Sequence, residues 1–102
     1  MSAQGALMLT AKDNVATAVQ DIDANTEIEV KLGREVRKIK ALERIPYGFK
    51  IAVADIPKGA QVFKYGEAIG VALSDIKKGQ QVHVHNVGGT RGRGDLAKGG
   101  GQ

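Results

Sequence analysis

The sequence predicts a mostly β domain, and three observations carry that reading. Short apolar stretches are separated by Gly- and Pro-containing turns, an eleven-residue phrase recurs four times, and helical periodicity is poor. The phrase runs Ala, apolar, any residue, charged residue, Ile, two variable residues, Gly or Asn, two variable residues, Ile or Val. Its copies occupy residues 18–28, 41–51, 52–62 and 72–82, with starts 23, 11 and 20 residues apart, so the chain is not a regular solenoid.

Taken in order, residues 1–5 are expected to be a flexible N-terminus, 6–87 the folded domain and 88–102 a Gly-rich flexible arm. Near residues 13–18 a short helical turn capped by Asp13 is an alternative to a strand. Each copy of the phrase then reads as strand, tight turn, strand. Ile22, Ile45, Ile56 and Ile76 end an extended stretch, and Pro46 and Pro57 fix φ at the first central position of the turn. Asn25, Gly48, Gly59 and Gly79 sit where a left-handed conformation is cheap, and Ile28, Ile51, Val62 and Val82 restart the strand and point inward. Val36, Ile39, Leu42 and Ile45 give the best helical spacing, but Arg and Lys lie between them and Pro46 follows at once. Lys64, Tyr65 and Gly66 form a further candidate turn. Seven of the fourteen glycines fall in the last fifteen residues, a stretch too poor in apolar area to offset its ordering entropy.

Composition removes several function classes. A length of 102 residues fits one domain, and 42% apolar content suffices for one small core. The absence of Cys excludes a disulfide framework, a thiolate zinc site and a cysteine nucleophile. No apolar run approaches the ~20 residues that span a bilayer, and no signal-peptide pattern opens the chain, so a cytoplasmic protein without membrane partners is expected. A net charge of +4, with four aromatics and no Trp, argues against nucleic acid as a partner. The charge is uneven: residues 1–30 carry five acids against one Lys, and residues 31–44 carry six bases against two acids. Such blocks can pair across neighbouring elements or form two solvated faces.

Several motifs together resemble a known family. Asp55-Ile-Pro-Lys-Gly, followed by Val62-Phe-Lys-Tyr-Gly-Glu-Ala-Ile-Gly70, resembles the SAF domain, whose β-clip fold is shared with type III antifreeze proteins. Asp13-Asn-Val-Ala16, Ile45-Pro-Tyr-Gly-Phe-Lys-Ile-Ala52, Val82-His-Val-His-Asn86 and Arg91-Gly-Arg-Gly-Asp-Leu96 resemble the N-terminal domain of altronate and galactarate dehydratases. That domain is a separate small subunit in some of these systems and in the similar sulfolactate sulfo-lyase. The resemblance implies a small subunit that caps the active site of a large catalytic subunit in a metal-dependent hydro-lyase acting on a sugar-acid anion. It also implies a divalent metal, iron or manganese, held mainly by the large subunit. One departure stands out, because the family usually has His where this chain has Phe49. If that His touches metal or substrate, specificity or activity would differ here.

Two imidazoles, His83 and His85, would point to one face of an extended strand and are the metal candidates, with His85 favoured as nearer the arm. Two nitrogens without an adjacent acid make only a partial metal site. Lys50, Lys64, Arg91 and Arg93 are the candidate contacts to a sugar acid, which suits cationic and phenolic donors. The segment holding Arg91 and Arg93 reads either as an arm that orders against a second subunit or as a tail without function. The chain has no Ser-His-Asp set, no HExxH and no phosphate loop, so alone it is expected to be nearly inactive. Two alternatives remain: a non-catalytic sugar-acid-binding module, as in SAF domains of sialic acid synthases and pilus-assembly proteins, and a sulfolactate sulfo-lyase small subunit. Exposed strand edges also allow a homo-oligomer.

Overall fold

The repeated phrase folds the same way four times, and the copies close on one another in pairs. The computed structural model describes residues 5–83 and 85–88. Ala18 N–H donates to Phe49 O (2.8 Å) and Ala18 O accepts from Gly48 N–H (2.9 Å), while Ala41 makes the same two bonds with Thr26 O and Asn25 N–H. Copies three and four repeat the scheme, Ala52 with Gln80 and Gly79, Ala72 with Ala60 and Gly59. The central isoleucines bridge reciprocally, Ile22 with Ile45 at 2.8 and 2.9 Å and Ile56 with Ile76 at 2.7 and 2.8 Å. A lone copy would leave these buried groups without partners. Pairing, not period, therefore sets where the copies fall.

Three of the four turns close with a backbone bond from the fourth residue to the first, Phe49 to Pro46, Ala60 to Pro57 and Gln80 to Lys77, each at 3.0 Å, and in the first copy Thr26 Oγ1 donates to Asp23 O at 2.7 Å. Gly48, Gly59 and Gly79 hold the third position with φ of 85°, 88° and 97°, and Asn25 does so at 65°, the pattern of type II turns. The prolines are thus the first residues of their turns, one place earlier than the sequence reading set them. The reason lies in the donor that Pro lacks. In copy four, Lys77 N–H is taken by Gln80 Oε1 at 2.7 Å, whereas Phe49 and Ala60 offer no side-chain acceptor opposite Pro46 and Pro57.

Nine strands lie among the described residues: β1 (Gly5–Met8), β2 (Val15–Ala18), β3 (Glu27–Leu32), β4 (Glu35–Lys40), β5 (Lys50–Ala52), β6 (Gln61–Lys64), β7 (Glu67–Ala72), β8 (Gln81–Val82) and β9 (Val87–Gly88). They form a six-stranded sheet in the order β4-β3-β1-β2-β5-β8 and a three-stranded sheet β6-β7-β9. The mostly β expectation is met. Gly5 and Gly88, which the sequence reading assigned to the flexible ends, begin β1 and end β9.

Alternation gives the large sheet two destinations. Ala6, Met8, Ala16, Ala18, Val30 and Ile51 join Ile22, Ile28, Ile39 and Ile45 in one core. Val15, Ala52 and Val82 face the other way and meet Ile56, Val62, Ala72 and Ile76 in a second. Ile28, Ile51, Val62 and Val82 are fully buried, as the phrase requires. Burying each such side chain contributes about 1.5–3 kcal/mol.

Neither helical alternative to the strand reading is realised among the described residues. Residues 15–18 form β2, because Val15 and Thr17 face one way while Ala16 and Ala18 enter the first core. Asp13 caps a turn instead, accepting from Leu9 N–H (3.1 Å), Thr10 N–H (3.2 Å) and Gly66 N–H (2.7 Å). The Val36–Ile39 spacing belongs to the edge strand β4, where Ile39 alone is buried. The opposed charge blocks do meet: β3 and β4 set Glu27 opposite Lys40 and Glu29 opposite Lys38.

Candidate functional site

Lys50 begins β5, on the row of the large sheet that runs Leu7, Thr17, Lys50, Val82. Val82 is on that row inside the second core, and the row emerges toward solvent at Lys50 and Thr17, both half-buried. Burial, and then the nearby charge of Lys64, pulls the Lys50 ammonium below the ordinary lysine pKa. Lys64 ends β6 in the other sheet, and its charge reaches Lys50 although the two lie fourteen positions apart in the sequence. Among the described residues no carboxylate lies within ion-pair distance of either. Thr17, paired with Lys50 across the sheet, has its Oγ1 buried with no hydrogen-bond partner among the described residues. A half-buried ammonium under the charge of a second one, with no carboxylate partner among the described residues, favours an anion nearby.

The histidines go elsewhere. β8 ends at Val82, and Asn86 N–H and Val87 N–H both donate to His83 O at 3.0 Å, so the chain turns where the sequence reading extended it. Asn86 makes that turn. Buried to 8% exposure, it accepts His83 N–H at Oδ1 (2.9 Å) and donates from Nδ2 to Gln81 O (2.8 Å). His83 stacks on Phe49, ring centroids 4.5 Å apart, and Phe49 packs against the first core. Phe49 and Lys50 are adjacent and point to opposite faces, so His83 and the lysine pair lie on different sides of the sheet. His85 is exposed in the turn. No group of three or more His, Cys, Asp or Glu residues among the described residues could hold a metal, and the donors present do not by themselves fit one. Val84, Arg91 and Arg93 lie outside the described residues.

Two polar residues, Asp13, read from the sequence only as a helix cap, and Asn14, read only as part of a motif, connect the sheets. Burial alone would raise the Asp13 pKa, but the hydrogen bonds from Gly66, Leu9 and Thr10 outweigh it and hold the carboxyl below its usual range. Asn14 Oδ1 accepts from Phe63 N–H (2.8 Å) and Nδ2 donates to Gln61 O (2.9 Å). Together they fasten the β6–β7 hairpin, and with it Lys64, to the large sheet. The tandem of two turn-forming residues ahead of an apolar run was the available signal.

The model of a family described as the altronate/galactarate dehydratase SAF domain matches residues 4–90. The chain is 41% identical over 80 residues to altronate dehydratase of Escherichia coli, covering 78% of this chain and 15% of that protein. It is 38% identical over 61 residues to galactarate dehydratase (L-threo-forming) of the same organism, 60% of this chain and 11% of the relative. It is 36% identical over 69 residues to (2R)-sulfolactate sulfo-lyase subunit alpha of Chromohalobacter salexigens, 68% of this chain and 62% of that subunit. The chain thus spans a small fraction of the two dehydratases and under two-thirds of the sulfo-lyase subunit. No helix is long and apolar enough to cross a membrane among the described residues.

Proposed function

Because this chain belongs to the altronate/galactarate dehydratase SAF-domain family, we propose that it is the small subunit of a cytoplasmic hydro-lyase acting on a sugar acid. It caps the active site of a larger catalytic polypeptide. The observation that carries this reading is the half-buried Lys50, paired across the sheet with Thr17, whose buried hydroxyl has no partner among the described residues, and lying under the charge of Lys64 from the other sheet. Removing water from a 2,3-dihydroxy acid begins with loss of a weakly acidic proton next to a carboxylate. Cations on that carboxylate lower the barrier by stabilising the charge that spreads onto it. The two ammoniums fill that role, with Arg91 and Arg93 as further cations toward the same anion in the assembled enzyme. The base, the acid and most metal ligands come from the partner, since no group of three or more His, Cys, Asp or Glu able to hold a metal lies among the described residues. A divalent metal there, iron or manganese, would supply Lewis-acid stabilisation, with His85 and His83 at most peripheral ligands from this side.

Co-purification with a larger polypeptide, and formation of a 3-deoxy-2-keto acid from altronate or galactarate only in the mixture, is the expected result. Full turnover by the purified chain would overturn the division of labour. Lys50→Met or Lys64→Met should lower kcat/KM of the assembled enzyme by about 10- to 100-fold. The unfolding midpoint should not fall, because each substitution relieves a like-charge contact. Elimination of sulfite is the second reading, favoured by the large share of the sulfo-lyase subunit that the chain covers. Sulfite release from sulfolactate by the same mixture separates the two. A sugar-acid-binding module without catalysis would instead hold galactarate as tightly alone as with partner and metal, whereas the small subunit alone should bind it only weakly, in a range that amide shifts still read.

A further inference from the structure

The hairpin turn beside Lys64 is built from a residue that such turns disfavour. β6 and β7 are joined by Tyr65 and Gly66, with φ of 54° and 83°. Turns of this type take Asn, Asp or Gly at their first position, since positive φ presses the Cβ of other residues toward the backbone. Gly66 meets the demand, and Asp13 fixes its N–H at 2.7 Å. Tyr65 does not. Core burial does not account for it either, because Tyr65 is 37% exposed and belongs to neither core. Its ring lies against Lys64, whose Nζ is 5.1 Å from the centroid. Strain retained at an exposed residue, where Asn would relieve it, marks a side chain kept for contact.

We propose that Tyr65 is a further binding residue of the same site, its left-handed backbone holding the phenol beside Lys64 so that the hydroxyl bonds a hydroxyl of the bound sugar acid. This rests on the reading of Lys50 and Lys64 given above. The two ammoniums take the carboxylate, and the phenol, which both donates and accepts, reads the neighbouring carbon chain. Tyr65 is then a determinant of hydroxy acid over plain carboxylate.

The test is a titration of galactarate into the isotope-labelled full chain, followed by amide shifts, with thermal unfolding of each variant. Tyr65→Phe keeps ring and strain and loses only the hydroxyl, so it should weaken binding roughly two- to tenfold at an unchanged midpoint. Tyr65→Asn should weaken binding at least as much while raising the midpoint by a few degrees, on the order of 2–5 °C. Unchanged affinity in both variants, with binding lost in Lys50→Met, would overturn the role of Tyr65 and leave the lysine site standing. A lowered midpoint in Tyr65→Asn would overturn it too, because the ring would then support the fold. Absence of saturable binding by the wild type, or binding indifferent to both lysine variants, would remove the lysine site and this proposal with it.

Discussion

Copies one and two and copies three and four are the same construction carried to different degrees of completeness. In the second pair both caps are present: Asp55 accepts Lys78 N–H and Asp75 accepts Lys58 N–H, each at 2.9 Å. In the first pair only one is. Asp21 accepts Tyr47 N–H at 2.8 Å, and the reciprocal place holds Arg44, which has no acceptor and makes an exposed 3.7 Å ion pair with Asp21. Both pairs nevertheless keep every backbone bond between alanine and turn, and both reciprocal isoleucine bridges. The phrase therefore has two layers. Ala, Ile, Gly or Asn, and Ile or Val build the fold, while the remaining positions are free to diverge. Lys50 stands at the tenth position, where the other copies have Glu27, Gln61 and Gln81, and Phe49 precedes it. The candidate site thus sits in the divergent layer.

The largest test of that division is at the turn glycines, which share a sign of φ but not a surrounding. A Cβ at Gly79 would come to 2.2 Å from Lys40 O and 3.0 Å from Leu42 Cγ, whereas at Gly48 and Gly59 it would meet nothing within 4 Å. Gly79→Ala should cost about 3 kcal/mol or more, from backbone strain plus collision. Gly48→Ala and Gly59→Ala should cost about 1–2 kcal/mol, from strain alone. Urea unfolding of the three variants gives the comparison, and equal losses would show that the turns are equivalent after all.

Outside the phrase, Asp13 caps with three backbone donors where each phrase aspartate caps with one. Asp13→Ala should cost about 2–3 kcal/mol, more than any of the single caps. The pH dependence follows from its depressed pKa. The carboxylate is favoured in the folded state, so its stabilisation is present above the ordinary value of 3.8 and is lost as pH falls through the lowered folded one. Acid unfolding of the wild type should be steeper over that window than that of Asp13→Ala, and parallel curves would show that the bonds carry no preference for the charged form.

The fold was legible because its rules are local: a glycine or asparagine at positive φ, an alanine with no side chain to crowd a partner copy, an isoleucine that alternation turns inward. What the sequence could not display was which copy meets which, and that pairing decides the rest. It moves Pro46 and Pro57 to the first place of their turns and makes Asp21, Asp55 and Asp75 into caps for turns 23–26 residues away or seventeen behind. The candidate site divides the same way. Lys50 and Lys64 were visible as residue types, but their approach across two sheets depends on Asp13 and Asn14, whose bonds to Gly66 and Phe63 span about fifty positions. The extended strand expected through His83 and His85 gives way to a turn for the opposite reason. Asn86 satisfies itself on the backbone of Gln81 and His83, and that local bond outcompetes the strand that alternation assumed.

Within the second pair, Asp75→Ala removes one capping bond from an exposed turn and should cost about 1 kcal/mol, by analogy with other side-chain caps. Asp55→Ala should cost the same, and the double variant the sum, since each cap serves a different turn. Losses well beyond additive would mean that the two caps hold one shared structure, which thermal unfolding of the three variants would reveal.

The smallest effect is the most direct comparison of the pairs. Arg44→Asp would place an acceptor where the second pair has one, facing the backbone of Ala24 as Asp75 faces that of Lys58. The substitution forfeits an exposed ion pair worth about 0–1 kcal/mol and sets two carboxylates on neighbouring turns. Asp55 and Asp75 already tolerate that arrangement, each bonded to the other copy's N–H. The expected balance is a gain of about 0.5 kcal/mol, read as a rise of the unfolding midpoint that grows with added salt as the carboxylates are screened. A loss of stability would show that Arg44 holds its place for the fold, and the first pair would then be complete in its own way.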